Sequence, residues 1–424
     1  MTGLNEKNGV LHVDDVSLTR IADEAGTPAY IYSAAHIKSQ YQRLSDALKK
    51  AIPADRQPLL CYACKANSNL AVLALLRSLG CGLEIVSQGE LQRGLSAGFD
   101  PNVIVSTGVG KSDSEIRALL GANIHQINVE SLPELERIND IATEIGASAD
   151  VVLRLNPNVS GGGHHKISTG REHDKFGISE DKVFEGYAMA EEMEGVNIVG
   201  LSIHIGSQVF TVESFEPAFK KLASVVEALR NDGYEVSRLD IGGGFPIQYD
   251  NENLLDLDAY AKWVNEIIVP LDTEIIMEPG RYLVGNAGAL LSRVEYVKEG
   301  TSRKFLVIDA AMNDLLRPAL YDAYHGIEPV QNRDAGVQTY DIVGPICETG
   351  DTFSQDRELP SMSQGDLLVL KSAGAYGYCM ASNYNTRGRP PEILVSGDSY
   401  EVIRPRESVE DILEKETIPG WLRT

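Results

Sequence analysis

Four chemically distinctive features of this sequence each follow or end a short run of apolar residues. They are Lys65 after LLCYAC, His204 in LSIHIGSQ, the three glycines Gly242 to Gly244 after LDI, and Glu278 after IIM. An isolated buried ammonium or carboxylate is unfavourable unless it is paired or its pKa shifts. Taken singly, each feature also fits an ordinary loop, core or turn position, so it is their combination that indicates a functional site.

The four features match the chemistry of one cofactor. A lysine in a protected pocket can lose its proton and attack a carbonyl carbon, forming a Schiff base. Consecutive glycines expose backbone N–H groups that converge on a phosphate. A carboxylate can keep a ring nitrogen protonated, and a flat imidazole can stack on that ring. Aldehyde, phosphate and pyridine nitrogen occur together in pyridoxal 5'-phosphate, so the sequence predicts this cofactor.

The elements that must position these residues alternate between strands and helices. Eight strand candidates, each followed by a turn signal, alternate with helices whose apolar residues recur at spacings of three and four. This alternation predicts an α/β fold with a parallel sheet, and eight units predict a (β/α)8, TIM-like barrel with its catalytic groups at the carboxyl ends of the strands. An open, doubly wound sheet is the alternative. The strand candidates are 58–65, 81–87, 102–107, 124–129, 150–156, 199–206, 238–244 and 273–278. The helix candidates between them are 70–79, 89–97, 112–120, 132–145, 179–193, 214–231 and 256–269.

The pattern changes after about residue 281. Strand-like runs are joined there by Gly, Pro, Asn and Asp turns, without helical periodicity between them, which is typical of an antiparallel β domain. The runs are 290–297, 304–309, 338–343, 366–371, 392–395 and 400–403. We therefore expect residues 30–281 to form the cofactor-binding barrel. Residues 1–29 and 282–424 are expected to form a mostly antiparallel, C-terminal β domain that includes the N-terminal segment.

The composition excludes several classes of partner. The 424 residues include 38 Lys and Arg against 61 Asp and Glu, a net charge of -23, which disfavours nucleic acid and anionic membranes. No apolar run approaches the roughly 20 residues that span a bilayer, and the N-terminus lacks a signal-peptide pattern, so we expect a cytoplasmic protein without a membrane segment. Five cysteines do not make a disulfide framework. Cys61 and Cys64 form a lone CxxC inside a strand candidate, which favours packing over zinc binding.

The whole sequence resembles one family. Its motifs resemble, in order, those of the fold-type III pyridoxal-phosphate decarboxylases and, within that family, of its diaminopimelate-specific members. The motifs are YACKAN, EIVSQGEL, RLNPN, HHKISTGREHDKFGI, HIGSQ, IGGGF, EPGR, RPALYDAYHGI, GPICETGD and GAYGYCMASNYNTRGRP. The resemblance implies a barrel followed by a β domain. It also implies the reaction, decarboxylation of meso-2,6-diaminopimelate to L-lysine and carbon dioxide in the last step of lysine biosynthesis.

The resemblance also implies the cofactor contacts. Lys65 would form the Schiff base, His204 would stack on the ring, and Glu278 would pair with the pyridine nitrogen. The phosphate would be bound by Gly243, Gly244, Ser207 and the backbone of Glu278, Pro279, Gly280 and Arg281.

The substrate contacts implied by the resemblance lie mainly in the second half of the chain. Cys347 would donate a proton to the substrate and Glu348 would hold its distal ammonium, both from the partner subunit of a homodimer. The other matching residues are Arg281, Arg317 and Tyr321 for the distal end of the substrate, and Tyr376 for both cofactor and substrate. Without the resemblance, Arg317 would be interpreted as a surface residue and Cys347 as a small buried one.

Two alternatives remain open on the sequence. One is decarboxylation of another basic amino acid, namely ornithine, lysine, arginine or carboxynorspermidine. The stretch HHKISTG and the cluster Arg281, Arg317 and Tyr321, which suits a distal carboxylate, weigh against it. The other is a non-catalytic homologue that binds the cofactor or a partner protein, in which loss of Lys65 or of the Cys347 and Glu348 pair would be expected.

Overall fold

The computed structural model describes residues 3–159, 173, 175–332 and 334–423. The chain forms two compact units, Ile37–Leu283 and a second unit that combines the residues up to His36 with those from Val284 onward. Most of the motif HHKISTGREHDK lies outside the described residues. No helix among the described residues has the length and apolarity needed to cross a membrane.

The N-terminal segment belongs to the second unit. Strands β1 (Leu4–Lys7), β2 (Val10–Val13) and β3 (Val16–Ser17) form a small antiparallel sheet, followed by helix α1 (Leu18–Ala25) and strand β4 (Ala29–Ser33). The Ser17 side chain accepts the N–H of Arg20 and so caps α1. The domain boundary expected at residue 30 falls within β4.

The larger unit is a barrel of eight parallel strands that pair in sequence order. They are β5 (Leu59–Ala63), β6 (Gly82–Ile85), β7 (Ile104–Ser106), β8 (Gln126–Val129), β9 (Ala149–Arg154), β10 (Val196–Ser202), β11 (Arg238–Asp240) and β12 (Glu274–Met277). Ile276 of β12 pairs with Leu59 of β5, so the sheet closes on itself. The closure confirms the predicted (β/α)8 architecture and excludes the open, doubly wound sheet.

Helix α2 (Ala34–Ala51) precedes the barrel, and one helix follows each barrel strand. These helices are α3 (Leu70–Ser78), α4 (Gln88–Ser96), α5 (Asp113–Ala122), α6 (Leu132–Ile145), α7 (Glu180–Ala190), α8 (Glu216–Asn231), α9 (Leu257–Trp263) and the short α10 (Arg281–Val284). Helix α8 buries an apolar stripe at spacings of three and four that includes Phe219, Leu222 and Val226. Ser87 and Ser131 each cap a helix by accepting a backbone N–H, which fixes where α4 and α6 begin after their strands.

The second unit is built on a nine-stranded sheet. After β4 its elements are β13 (Gly288–Glu299), β14 (Lys304–Ile308), α11 (Arg317–Tyr321), β15 (Ile327–Pro329), β16 (Val337–Val343), β17 (Thr352–Pro360), β18 (Leu367–Leu370), β19 (Glu392–Ser396), β20 (Ser399–Arg404) and α12 (Val409–Leu413). The central strand β13 pairs antiparallel with β4, β14 and β18. The predicted, mostly antiparallel character is confirmed, with parallel pairing only between β14 and β16 and between β4 and β19 among the described strands.

Candidate active site

The carboxyl ends of the barrel strands surround a cavity of about 310 Å³. All eight strands contribute a lining residue within two positions of their carboxyl end, and the lining includes Lys65, His204 and Glu278. This volume is within the range of small-molecule sites. Three of the four features that opened the sequence analysis therefore meet in one cavity.

Lys65 lies in a single 3-10 turn, Cys64–Ala66, directly after β5. Its ammonium donates to both carboxylate oxygens of Glu84, at 3.0 and 2.9 Å. The Glu84 side chain is fully buried near the end of β6, whereas 38% of the Lys65 side chain is exposed. The lysine is thus held by a buried carboxylate while part of it faces the cavity.

Glu278 follows β12 and is buried beside a second carboxylate, Asp240, at the end of β11. Thr107 Oγ1 donates to Glu278 at 3.0 Å, and Asn128 Nδ2 donates to Asp240 at 2.8 Å. Burial, Asp240 and Glu84 raise the pKa of Glu278 well above its usual value, against the opposing effect of Lys65. These effects favour the protonated form of Glu278 relative to an ordinary carboxyl.

His204 lies two residues after β10, and its ring orientation is fixed by the backbone. The N–H of Gly243 donates to His204 Nδ1 at 3.1 Å, so Nδ1 is the unprotonated nitrogen and Nε2 carries the hydrogen. Burial, then the positive charges of Arg154 and Lys65, lower the pKa of His204 well below its usual value. The imidazole is consequently neutral and can offer a flat, uncharged face to a ring.

Glycine alone fits at two positions in the segments after β11 and β12, one where these segments meet and one where the second packs on the end of β5. A Cβ on Gly243 would lie 2.2 Å from the carbonyl oxygen of Glu278, and one on Gly280 would lie 2.9 Å from Ala63 Cβ. Gly242 and Gly244 have φ of +67° and +101°. The result is a backbone cradle of the kind that binds phosphate.

Arg281 begins α10 and contacts the loop after β10. Its Nη2 donates to Ser207 Oγ at 2.9 Å, and its Nη1 donates to the Tyr249 hydroxyl at 2.7 Å. Ser207 and Arg281, which the sequence assigned to phosphate and substrate, are therefore joined directly. Tyr249 was not predicted.

The remaining predicted residues lie in the second unit. Arg317 begins α11 and is 7% exposed, while Tyr321 ends the helix and is half-buried. Tyr376 is half-buried and has a left-handed backbone, with φ of 56°. Cys347 is exposed, in a loop next to the exposed Glu348. Without the resemblance, Arg317 was interpreted as a surface residue and Cys347 as a buried one. Both interpretations were wrong, because Arg317 is buried and Cys347 is exposed.

Comparison with known proteins gives the family. Residues 34–285 match the family model described as pyridoxal-dependent decarboxylase, pyridoxal binding domain. A diaminopimelate decarboxylase of Pseudomonas aeruginosa is 45% identical over 99% of both chains, and one of Neisseria meningitidis serogroup B is 45% identical over 96% of this chain and 97% of its own. The chain belongs to the diaminopimelate decarboxylases.

Solved diaminopimelate decarboxylases share the whole fold. The diaminopimelate decarboxylase from M. jannaschii in co-complex with L-lysine has a TM-score of 0.94 at 37% identity, covering 100% of both chains. The Helicobacter pylori enzyme complexed with L-lysine has a TM-score of 0.89 at 39% identity, covering 93% of this chain and 98% of its own.

The residues of the barrel fit pyridoxal 5'-phosphate, the cofactor of the diaminopimelate decarboxylases. The fit rests on three observations: a lysine paired with a buried carboxylate, a buried carboxyl at Glu278 whose pKa is raised, and a cradle in which a Cβ at Gly243 would clash. These match an aldehyde, a pyridine nitrogen and a phosphate respectively.

Sequence reasoning missed the residues that hold the predicted ones, namely Glu84, Thr107, Asn128 and Asp240. The available signal was an acidic side chain inside an apolar strand, as in GLEIV and RLDIG. Cys61 and Cys64 are both buried, which agrees with the packing role expected for them.

Proposed function

We propose that this protein removes one carboxylate of meso-2,6-diaminopimelate as carbon dioxide and forms L-lysine, with pyridoxal 5'-phosphate attached at Lys65. The observation that carries the proposal is the convergence of Lys65, His204 and Glu278 on one cavity at the barrel's strand ends. The similarity to diaminopimelate decarboxylases over nearly the full length supports the choice of substrate.

The cofactor, when bound, supplies an electron-accepting ring that stabilises negative charge at the substrate's α-carbon. Lys65 attaches it and later displaces the product. Glu84 keeps Nζ oriented between these events, because its two oxygens hold the ammonium from one side. A lysine nitrogen must lose its proton before it attacks, and the adjacent carboxylate is placed to receive that proton.

Glu278 and His204 set the electrostatics around the ring. Glu278 would share a proton with the pyridine nitrogen, since burial, Asp240 and Glu84 raise the pKa of its carboxyl. His204 packs a neutral ring whose tautomer the Gly243 N–H fixes. The N–H groups of Gly242 and Gly243 are taken by Asp240 and His204, so the phosphate would be bound by the N–H of Gly244 and the hydroxyl of Ser207.

The distal end of the substrate carries a carboxylate and an ammonium. Arg281 and Arg317 provide guanidinium groups that can grip the carboxylate through paired hydrogen bonds, and Tyr321 adds a hydroxyl. Glu348 pairs with the distal ammonium. Tyr376, held in a left-handed conformation, contacts both cofactor and substrate.

Cys347 donates the proton that replaces the lost carboxylate at the α-carbon, and it acts in the active site of a partner subunit. Its exposure in a single chain supports this assignment, since a proton donor in open solvent would exchange with water. Within the chain the backbone N–H of Cys347 donates to Asn385 Oδ1 at 3.3 Å, and Tyr384 donates to Glu348 at 2.6 Å. These contacts hold the Cys347 backbone and the Glu348 side chain within one loop. The proposed active enzyme is a homodimer with shared sites.

The proposal extends to organisation and location. Residues 30–281 act as the cofactor-binding domain and residues 1–29 with 282–424 as the domain that carries Arg317, Cys347 and Glu348. Composition favours action in the cytoplasm, on a small-molecule amino acid and not on nucleic acid or membrane.

The test is carbon dioxide release from meso-diaminopimelate, L-ornithine and L-lysine, each with and without added pyridoxal 5'-phosphate. The proposal predicts cofactor-dependent release from meso-diaminopimelate and at least about 100-fold lower kcat/KM for the two others, because neither places a carboxylate at the distal end of the reacting substrate. Preference for ornithine or lysine would establish the alternative, and absence of release with all substrates would favour a non-catalytic homologue.

A further inference from the structure

Arg317 is a buried cation whose orientation matters for the proposed function, on which this inference rests. It begins α11 and is 7% exposed. A guanidinium binds a carboxylate through two parallel N–H donors in one plane, so the plane must face the ligand. A long, flexible side chain attains that orientation reliably only when another group fixes it.

His325 lies against Arg317, and the sequence analysis gave it no role. It is 1% exposed and lies just before β15. Its Nε2 is 3.0 Å from Arg317 Nη1, and its Nδ1 is 2.8 Å from the carbonyl oxygen of Lys371. Arginine only donates and a carbonyl only accepts, so Nε2 is the acceptor and Nδ1 carries the hydrogen. His325 is therefore the neutral Nδ1–H tautomer.

The backbone around His325 is fixed to the sheet. Arg357 of β17 donates to the His325 carbonyl oxygen at 3.3 Å and to the Tyr324 hydroxyl at 2.7 Å. The N–H of Lys371 donates to the carbonyl of Gly326 at 2.8 Å. The imidazole consequently has a rigid base from which to orient the guanidinium.

We propose that His325 is a positioning residue for recognition of the substrate's distal carboxylate, acting through Arg317. The bond from Nη1 to a neutral acceptor orients the guanidinium without cancelling its charge. A carboxylate in place of the His325 imidazole would compete with the substrate's carboxylate for the Arg317 guanidinium. A protonated imidazole would repel that guanidinium. Neutral histidine therefore orients Arg317 without adding a charge of its own.

Two substitutions distinguish the roles of the two imidazole nitrogens of His325. His325→Gln keeps an acceptor near the Nε2 position, whereas His325→Asn keeps a donor near the Nδ1 position and loses the acceptor for Arg317. For His325→Asn we expect roughly a tenfold rise in KM for meso-diaminopimelate with kcat within about twofold, and for His325→Gln recovery of most of that loss. His12→Asn, in the N-terminal hairpin, is the matched control, and thermal unfolding checks that each variant is folded.

Competitive ligands show whether the effect is on the carboxylate. L-lysine retains the distal carboxylate and cadaverine lacks it. We expect His325→Asn and Arg317→Lys each to weaken L-lysine binding by roughly tenfold and leave cadaverine binding unchanged, with little further loss in the double variant. These binding measurements need no turnover, so a failure of the proposed function in the wild-type protein is distinguishable from a failure of this inference.

The inference is overturned if the Asn and Gln variants behave alike, or if cadaverine binding weakens as much as L-lysine binding. A measurement on the unmodified side chain covers the case in which His325→Asn does not fold. Nitrogen-15 histidine spectra of the full-length protein, with the His325 signal assigned through His325→Gln, should show the Nδ1–H tautomer. The Nε2–H tautomer or a protonated ring at neutral pH would contradict the inference.

Discussion

The barrel site and the loop that carries Cys347 differ in how they hold their chemical groups. In the barrel, Glu84, Asp240 and Glu278 are buried, and each has a hydrogen-bonded partner within the same unit. In the loop, Cys347 and Glu348 are exposed. This difference in burial agrees with the proposal that Cys347 acts in a site that a partner subunit shields from water.

The loop that carries Cys347 is nevertheless held by hydrogen bonds within its own chain. The carboxylate of Asp351 accepts the N–H groups of Met312 and Ile346, at 2.6 and 2.7 Å. A Cβ on Gly344 would lie 2.4 Å from that carboxylate, so the loop can close only at glycine. The loop is therefore held in place by contacts within its own chain.

Lys65→Ala removes the reacting amine of the barrel site and has the largest expected effect. Loss of the attaching amine should lower kcat by at least about 10⁴-fold and abolish the visible absorbance of the covalently bound cofactor. Lys182→Ala, at an exposed lysine paired with Glu185 on α7, is the control and should retain both. Near-normal turnover by Lys65→Ala would refute the assignment.

Glu278→Gln tests the buried carboxyl network. The amide cannot share a proton with the ring nitrogen, so kcat should fall by about 10³-fold while the cofactor remains bound with an altered absorption spectrum. The spectrum and carbon dioxide release are measured on the same preparation. An unchanged spectrum together with an unchanged kcat would show that Glu278 does not contact the ring.

Cys347→Ala tests the exposed side of the comparison. We expect normal cofactor absorbance and a roughly 10²-fold lower kcat, because only proton delivery is lost. Cys379→Ala, at another exposed cysteine, is the matched control.

Mixing the Lys65→Ala and Cys347→Ala chains tests whether the active site is shared between two subunits. If the site is shared, the hybrid dimer has one intact site, and random pairing of equal amounts restores about a quarter of wild-type activity by subunit statistics. Activity no higher than the average of the two variants would place Cys347 and Lys65 in the same chain's site.

Glu407→Gln has the smallest expected effect and probes how the segment near Tyr384 is held. Arg389 donates to both oxygens of Glu407, and this contact lowers the pKa of Glu407 to about 2. Because the folded pKa is depressed, the stabilisation is present above pH 4.5 or so and is lost as pH falls toward 2. We expect a loss of about 1 kcal/mol or less at pH 7 and no difference near pH 2, measured by thermal unfolding. Glu414→Gln is the exposed control, and a pH-independent difference would argue against the ion pair.

The sequence was sufficient for features set by local pattern and barrel geometry. Lys65, His204 and Glu278 could be predicted to lie close together, because the parallel strands of a barrel have their carboxyl ends at one rim. Strand β4 escaped prediction because its partners are distant in sequence: Tyr32 pairs with Gly288, and Tyr30 with Glu392. Helix α11 has five residues, too few to show a helical period.

The supporting contacts were harder to predict than the reacting groups. Glu84 and Asp240 each occur as one acidic residue in an apolar strand, and the sequence does not specify which cation or amide will pair with it. The contact between His325 and Arg317 depends on the pairing of β15 with β18, which joins residues about forty positions apart.

The central claim is tested most directly by running the reaction with meso-diaminopimelate in deuterated water and analysing the product. The account predicts release of one carbon dioxide per turnover and formation of L-lysine with a single deuterium on the carbon that lost its carboxylate. Carbon dioxide release without that deuterium, a product other than L-lysine, or no reaction in the presence of pyridoxal 5'-phosphate would contradict it.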